Sequence, residues 1–238
     1  MNPAPEDQSK SGIGVQKEGA LHAALKEAYL PEGGSLEVLV EGYIVDILGP
    51  EGIVEIQTSG LSRLAAKLDA LLPVYPVKVV LPIVARKWIT LVDQDGVVVR
   101  RRRSPKLGKL LDMFQELTGL ARFVTQDGFT LEVAFVDVEE FRCDDGAGSW
   151  RRGGVSIRDR KLLDVAGVEV FGCAEDYSRL LPTIMPDPFT NRDLSRELKI
   201  PMRLSGRMIY ALRVMGVLRV AGRIRQGILY ERVEPRLP

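Results

Sequence analysis

A run of aliphatic and β-branched residues, interrupted by a four-residue turn, most narrows the folds open to this chain. It reads Leu36-Glu-Val-Leu-Val-Glu-Gly-Tyr-Ile-Val-Asp46-Ile-Leu48, then Gly49-Pro50-Glu51-Gly52, then Ile53-Val-Glu55-Ile-Gln57. Such runs on either side of Gly-Pro-x-Gly predict a hairpin. Side chains two apart on a strand share a face, so Glu55 and Gln57 project together while Val54 and Ile56 point into a core. Asp46, just before the turn on the partner strand, falls beside them. Two carboxylates this close raise each other's pKa unless a cation lies between them. Hard divalent ions take oxygen ligands of this kind, so the pattern predicts a metal site with Asp46 and Glu55 as ligands and Mg²⁺ (or Mn²⁺) as the ion.

Helical spacing follows. Leucines at 61, 64, 68, 71 and 72 form one stripe, with Arg63 and Lys67 on its flank. Lys67 is the candidate cation for the site, the alternative being an ordinary solvated helix charge. Upstream, Glu18, His22 and Lys26 recur every four residues and share a helix face beside Leu21 and Leu25. His22 is the only histidine, which leaves a histidine zinc site or a Ser-His-Asp triad almost no support. Cys143 and Cys173 fit no closely spaced metal motif.

Farther on, Val77–Val84 predicts a buried strand. Lys87–Val92, a turn at Asp93–Gly96, and Val97–Arg103 predict a second hairpin. It ends in four consecutive arginines, of which at most half can meet one partner because strand side chains alternate. Arg101 and Arg103 are the pair assigned to phosphate contact. A helix is expected over 109–117, and Thr130–Val138 should close the sheet. The loop from Cys143 to Gly154 predicts a hinge or boundary.

After Pro188 the chain carries eleven Lys and Arg against four Asp and Glu, although the whole nets only +1. A basic C-terminal module on an acidic body points to a polyanion. Thr190 can cap a helix with Asp193 three residues later, Lys199-Ile-Pro-Met202 makes a turn, and a second helix runs from Leu204 to Met215. Two short strands follow, around 216–220 and 228–233. This order resembles a winged helix-turn-helix domain across 186–233. The resemblance implies that Arg203, Ser205 and Arg207 face DNA and that Arg223 and Arg225 lie at the wing tip. Leu194, Leu198, Ile209, Leu212 and Met215 are expected in its core.

The earlier segment, from Glu18 to about Val138, resembles the PD-(D/E)XK nuclease superfamily, whose fold is restriction-endonuclease-like. Asp46 and Glu55-Ile56-Gln57 match its acidic residue and Glu-x-Lys pattern, with Gln57 at the lysine's place. Some members carry Glu-x-Gln and recruit a lysine from the next helix, the position of Lys67. The resemblance implies that Asp46 and Glu55 hold Mg²⁺, Gln57 orients the water, Lys67 stabilises developing charge, and Glu18, with Glu27 in reserve, supports the outer shell. It also implies DNA as partner and a homodimer for members that cut both strands.

The expected class is α/β, a mixed sheet flanked by helices with a C-terminal winged helix. The segments are a loose tail (1–16), the nuclease-like domain (17–142), a linker with small elements (143–185) and the winged helix (186–238). No apolar run approaches the ~18 residues of a membrane span, and the expectation is a cytoplasmic protein. Two functions of different class follow: a metal-dependent DNA endonuclease, or a DNA-binding or regulatory protein whose nuclease-like body has lost its chemistry.

Overall fold

Leu21 and Leu25, one turn apart, set the buried face of α1 (Ala20–Tyr29) in this computed structural model, which describes residues 19–233. The predicted tail and Glu18 lie outside the described residues. The run Leu36–Leu48 is two strands rather than one. β1 (Ser35–Val40) and β2 (Tyr43–Gly49) pair antiparallel across Glu41 and Gly42. Both turn residues have positive φ, 47° and 79°, the left-handed pair that lets a two-residue turn follow strand twist.

β3 (Gly52–Ile56) pairs antiparallel with β2 around the predicted turn. Gly52 sits at φ 127°, and a Cβ there would lie 2.4 Å from the Pro76 carbonyl oxygen. Gly52→Ala is expected to destabilise the protein by at least about 2 kcal/mol, since a disfavoured backbone is combined with a main-chain clash. Urea unfolding measures it, and a loss below about 0.5 kcal/mol would contradict the close approach.

The leucine stripe forms a 3-10 turn (Leu61–Leu64) running into α2 (Ala65–Leu71), with Leu61, Leu68 and Leu71 fully buried. This crossover brings β4 (Val77–Val92) parallel to β3. β4 runs through Pro82 without a break, joining segments that read as separate strands. Val80 accepts from Gln57 N, so Pro82, two residues on, turns its nitrogen to the same side, where β3 has already ended. The missing N–H therefore breaks no ladder.

β5 (Val98–Arg103) pairs antiparallel with the outer half of β4. The predicted helix over 109–117 is a 3-10 turn (Leu110–Met113) followed by the short α3 (Phe114–Leu117). β6 (Phe129–Asp144) lies parallel to β4, and β7 (Val155–Phe171) runs antiparallel to β6 along its length, from Asp144↔Val155 to Leu131↔Phe171. Residues 143–185 are thus no linker over their first half. The glycine-rich loop turns between two paired strands, and the sheet continues to Phe171. Its order is β1-β2-β3-β4-β6-β7, with β5 on β4.

After α4 (Ala174–Ser178) come β8 (Phe189–Thr190), α5 (Asn191–Leu198), α6 (Met202–Val214), β9 (Leu218–Ile224) and β10 (Gly227–Arg232). The small sheet has the order β8-β10-β9. Thr190 and Asp193 form the predicted reciprocal cap. Leu194, Ile209, Leu212 and Met215 are buried as expected, and Leu198 is partly so. One core runs from Ile53, Leu68 and Val79 through Phe114 and Phe123 to Leu204, Met208 and Leu212, so the C-terminal helices share it with the sheet. A second core, Leu21, Leu25, Ile47, Ile56, Val80, Ala134, Val136 and Val138, lies on the α1 side. The molecule is a mixed α/β protein with a large mixed sheet flanked by helices.

Candidate functional site

The β2–β3 ladder holds at Ile47↔Val54 and stops one residue later, where Asp46 faces Glu55. Beyond that point each carboxylate caps a main-chain donor of the other strand. Asp46 Oδ2 accepts from Ile56 N at 2.8 Å, and Glu55 Oε1 accepts from Asp46 N at 3.2 Å. The strands split there, with the two carboxylates between them and α1 and α2 on either side.

From α2, Lys67 places its Nζ 2.6 Å from Glu55 Oε1 and donates to the Ile44 carbonyl at 2.6 Å. From α1, His22 Nε2 donates to the Ile56 carbonyl at 2.8 Å and lies 3.3 Å from Asp46 Oδ2. Glu55 is 3% exposed, and burial pushes its carboxyl up despite Lys67 beside it. Asp46 is also partly desolvated, but His22, the Ile56 amide and Lys67 outweigh this and hold its carboxyl below the usual range. The two like groups are thereby driven apart in acidity.

Sequence had brought Asp46, Glu55 and Lys67 to one place, and they meet here. His22, read as a helix side chain of no assigned role, also joins them. Part of the signal was present, since its spacing from Lys26 put it on one face of the predicted helix beside Leu21 and Leu25. Gln57 follows directly after β3 with its main-chain N on Val80 O at 2.9 Å; among the described residues no side-chain hydrogen bond ties it to the carboxylates. Among the described residues no group of three or more His, Cys, Asp or Glu is assembled for a metal. Asp46 and Glu55 match the one or two carboxylates with which Mg²⁺ is held, water and phosphate completing the shell. The Ile56 carbonyl adds a third hard oxygen. The donor chemistry therefore fits the ion.

Of the residues expected on DNA, Arg203, Arg223 and Arg225 are exposed. Ser205 is not: it is fully buried, and its hydroxyl donates to Asn191 O at 3.1 Å. Arg207 is half-buried and donates to Gln115 O at 2.8 Å, because α6 leans on α3. Arg101 is held by Glu139 at 2.9 Å and lies over Trp88, while Arg103 is exposed on the same face.

Fold and cluster together define a mixed α/β protein with a carboxylate–lysine–histidine site where a hairpin splits. The chain belongs to the family described as "Domain of unknown function (DUF8091)", which matches residues 19–171. It is similar to an "Uncharacterized protein" of Treponema pallidum (strain Nichols), 36% identical over 185 residues, covering 77% of this chain and 74% of the relative. No solved structure matches. Among the described residues, no helix is long and apolar enough to cross a membrane.

Proposed function

We propose that this protein is a metal-dependent DNA endonuclease, with a restriction-endonuclease-like body and a winged helix-turn-helix module. The observation that carries this reading is the pairing of Asp46 with Glu55 across a splitting hairpin, with the Lys67 ammonium 2.6 Å from Glu55. It is supported by the order of hairpin, helix and parallel strand around the pair. For the C-terminal module, the order β8-α5-α6-β9-β10 with β10 between β8 and β9 is the one a winged helix uses. Arg203, Arg223 and Arg225 are the exposed groups available there for phosphate, whereas Ser205 and Arg207 are engaged within the protein.

Asp46, Glu55 and the Ile56 carbonyl would hold Mg²⁺ or Mn²⁺; Glu18, implied by the resemblance, lies outside the described residues. When bound, the ion supplies Lewis-acid polarisation of a phosphate and a water of lowered pKa. The protein's own part is preorganisation. Ile56 N and His22 fix Asp46, while Lys67 brings a positive charge into a poorly solvated place where negative charge develops. Gln57, to which the resemblance gives the orienting of a water, contributes no charge.

That neutrality favours a second reading, a non-catalytic DNA-binding or regulatory protein on a nuclease-like body. The two are separated by offering plasmid, linear, branched and single-stranded DNA with Mg²⁺, Mn²⁺ or EDTA to the native protein and to Glu55→Ala. Cleavage is expected with metal and not with EDTA or the variant. Binding without cleavage on any substrate would establish the second reading.

A further inference from the structure

Beyond the site, β4, β6 and β7 run on together, with β5 added at the edge, as an arm of sheet with two unlike faces. The paired rows assign each side chain. One face carries the rows Lys87–Val138–Leu162, Arg102–Ile89–Glu140–Arg160 and Arg100–Leu91–Arg142–Ile157. Within these rows five cations meet one carboxylate, and Asp144, paired with Val155 at the end of the arm, adds a second acid on this face. The opposite face carries Arg86–Asp137–Asp164, Arg103–Trp88–Glu139–Lys161 and Arg101–Thr90–Phe141–Asp159, four cations against four carboxylates. On that balanced face the charges pair locally, Arg86 with Asp137 and Arg101 with Glu139.

The carboxylate at the centre of the basic face is the best-buried acid of the arm. Glu140 is 1% exposed and holds three cations: Arg142 at 2.6 Å, Arg160 at 3.0 Å and Lys87 at 3.4 Å. One acid fixing three bases leaves a surplus of two positive charges in defined positions. The same face borders a cleft of about 350 Å³ that begins at Thr58, three residues beyond Glu55, and takes in Pro82, Lys87, Lys106, Glu140 and Arg160. It opens where β3 ends and β4 continues with only β6 beside it. Two acids line the far wall, Asp112 bonded to Lys109 N and Gln115 and Glu116 bonded to Gly60 N, so the cation surplus belongs to the sheet face and not to the cleft itself.

We propose that this cleft-side face, with Arg100, Arg102, Arg142, Arg160 and Lys87 as phosphate contacts and Glu140 as the residue positioning three of them, is the docking surface for duplex DNA. Its charge asymmetry stands without the nuclease reading; a path from it to Asp46 and Glu55 rests on that reading and passes round the edge of β4 beyond the end of β3, because the row Glu55–Val79–Leu131 belongs to the opposite face. Duplex DNA is the occupant because guanidinium groups spaced along paired strands, Arg142 and Arg160 held by Glu140, without an exposed aromatic platform among them, suit a regular double backbone and offer single-stranded bases nothing to stack on.

The full-length protein is titrated by fluorescence anisotropy onto a labelled duplex of about 30 base pairs in EDTA, over about 50–200 mM salt. Arg100→Ser/Arg102→Ser is expected to weaken binding at least about tenfold and to lower the salt slope by about 2, one for each phosphate no longer neutralised. Arg160→Gln, which leaves Arg142 and Lys87 on Glu140, is expected to lower the slope by about 1. Arg101→Ser/Arg103→Ser on the balanced face is expected to change affinity less than about twofold. Equal weakening from the two faces would overturn the proposal, as would weakening only on removing Arg223 and Arg225, or binding confined to RNA or single strands. Binding through this face without cleavage would sink the nuclease reading alone. Glu55-dependent cleavage that ignores Arg100 and Arg102 would sink this proposal alone.

Discussion

Lys67→Met is expected to reduce metal-dependent DNA cleavage by about 10²–10³-fold, the usual effect of removing one preorganised electrostatic stabiliser. Lys67 is the described cation nearest the carboxylates, and its Nζ also anchors α2 to Ile44 at the mouth of the split hairpin. Without it Glu55, 3% exposed, is left as a buried carboxylate without its cation. Removing one partner of a buried pair costs about 3–5 kcal/mol, so the metal-free variant should also unfold at lower urea. Lys67→Arg keeps the charge and is expected to regain part of both. Single-turnover cleavage with urea unfolding separates the two effects. Activity within about threefold of the native protein would reduce Lys67 to a structural partner of Glu55.

Glu140→Gln is expected to destabilise the protein by about 3 kcal/mol, the low end for a broken buried pair because Arg160 and Lys87 reach solvent. Burial alone would raise the Glu140 carboxyl, but the hydrogen bonds from Arg142 and Arg160, with Lys87 nearby, hold it below its ordinary value. A carboxyl lowered in the folded state contributes stability above its unfolded pKa, and this is lost as pH falls through the folded value. The native protein should therefore lose this contribution below about pH 4, and Glu140→Gln should show a flatter acid limb. Urea midpoints at neutral pH and in acid test this; parallel curves for the two proteins would show that Glu140 does not organise its three cations.

Asp46 and Glu55 were legible because a turn of known length fixes which residues face each other across it. Lys67 was legible because the leucine stripe orients the helix that carries it. His22 was half legible: its spacing from Glu18 gave the helix face, but not that the face meets the hairpin. Four arginines in a row hold no parity, so the choice of Arg101 and Arg103 had no local basis. Pairing of Arg102 with Ile89 and of Arg100 with Leu91, a non-local fact, assigns the open basic face to the other two. Glu41 in a left-handed turn concealed a strand break, because a non-glycine residue there gives no composition signal. Ala85 and Arg86 concealed the opposite, a strand that continues through a bulge where two strands were expected. Ser205 was misplaced because α6 begins at Met202, earlier than its leucine pattern indicates, and turns Ser205 toward Asn191.

The unbroken course of β4 also sets a length. Glu55 lies across from Val79, and the row of Arg102, Glu140 and Arg160 lies across from Ile89, ten residues along the same strand. At ~3.3 Å per residue this is roughly 33 Å, close to the ~34 Å of one duplex turn. A bulge between Val84 and Arg86 falls inside that interval and bends the strand, and by the same pairing Glu55, in the row Glu55–Val79–Leu131, and the cationic row leave opposite faces of the sheet. On the nuclease reading, a duplex gripped at the row would therefore have to wrap the edge of β4, where β3 has ended, to bring its backbone to the carboxylates.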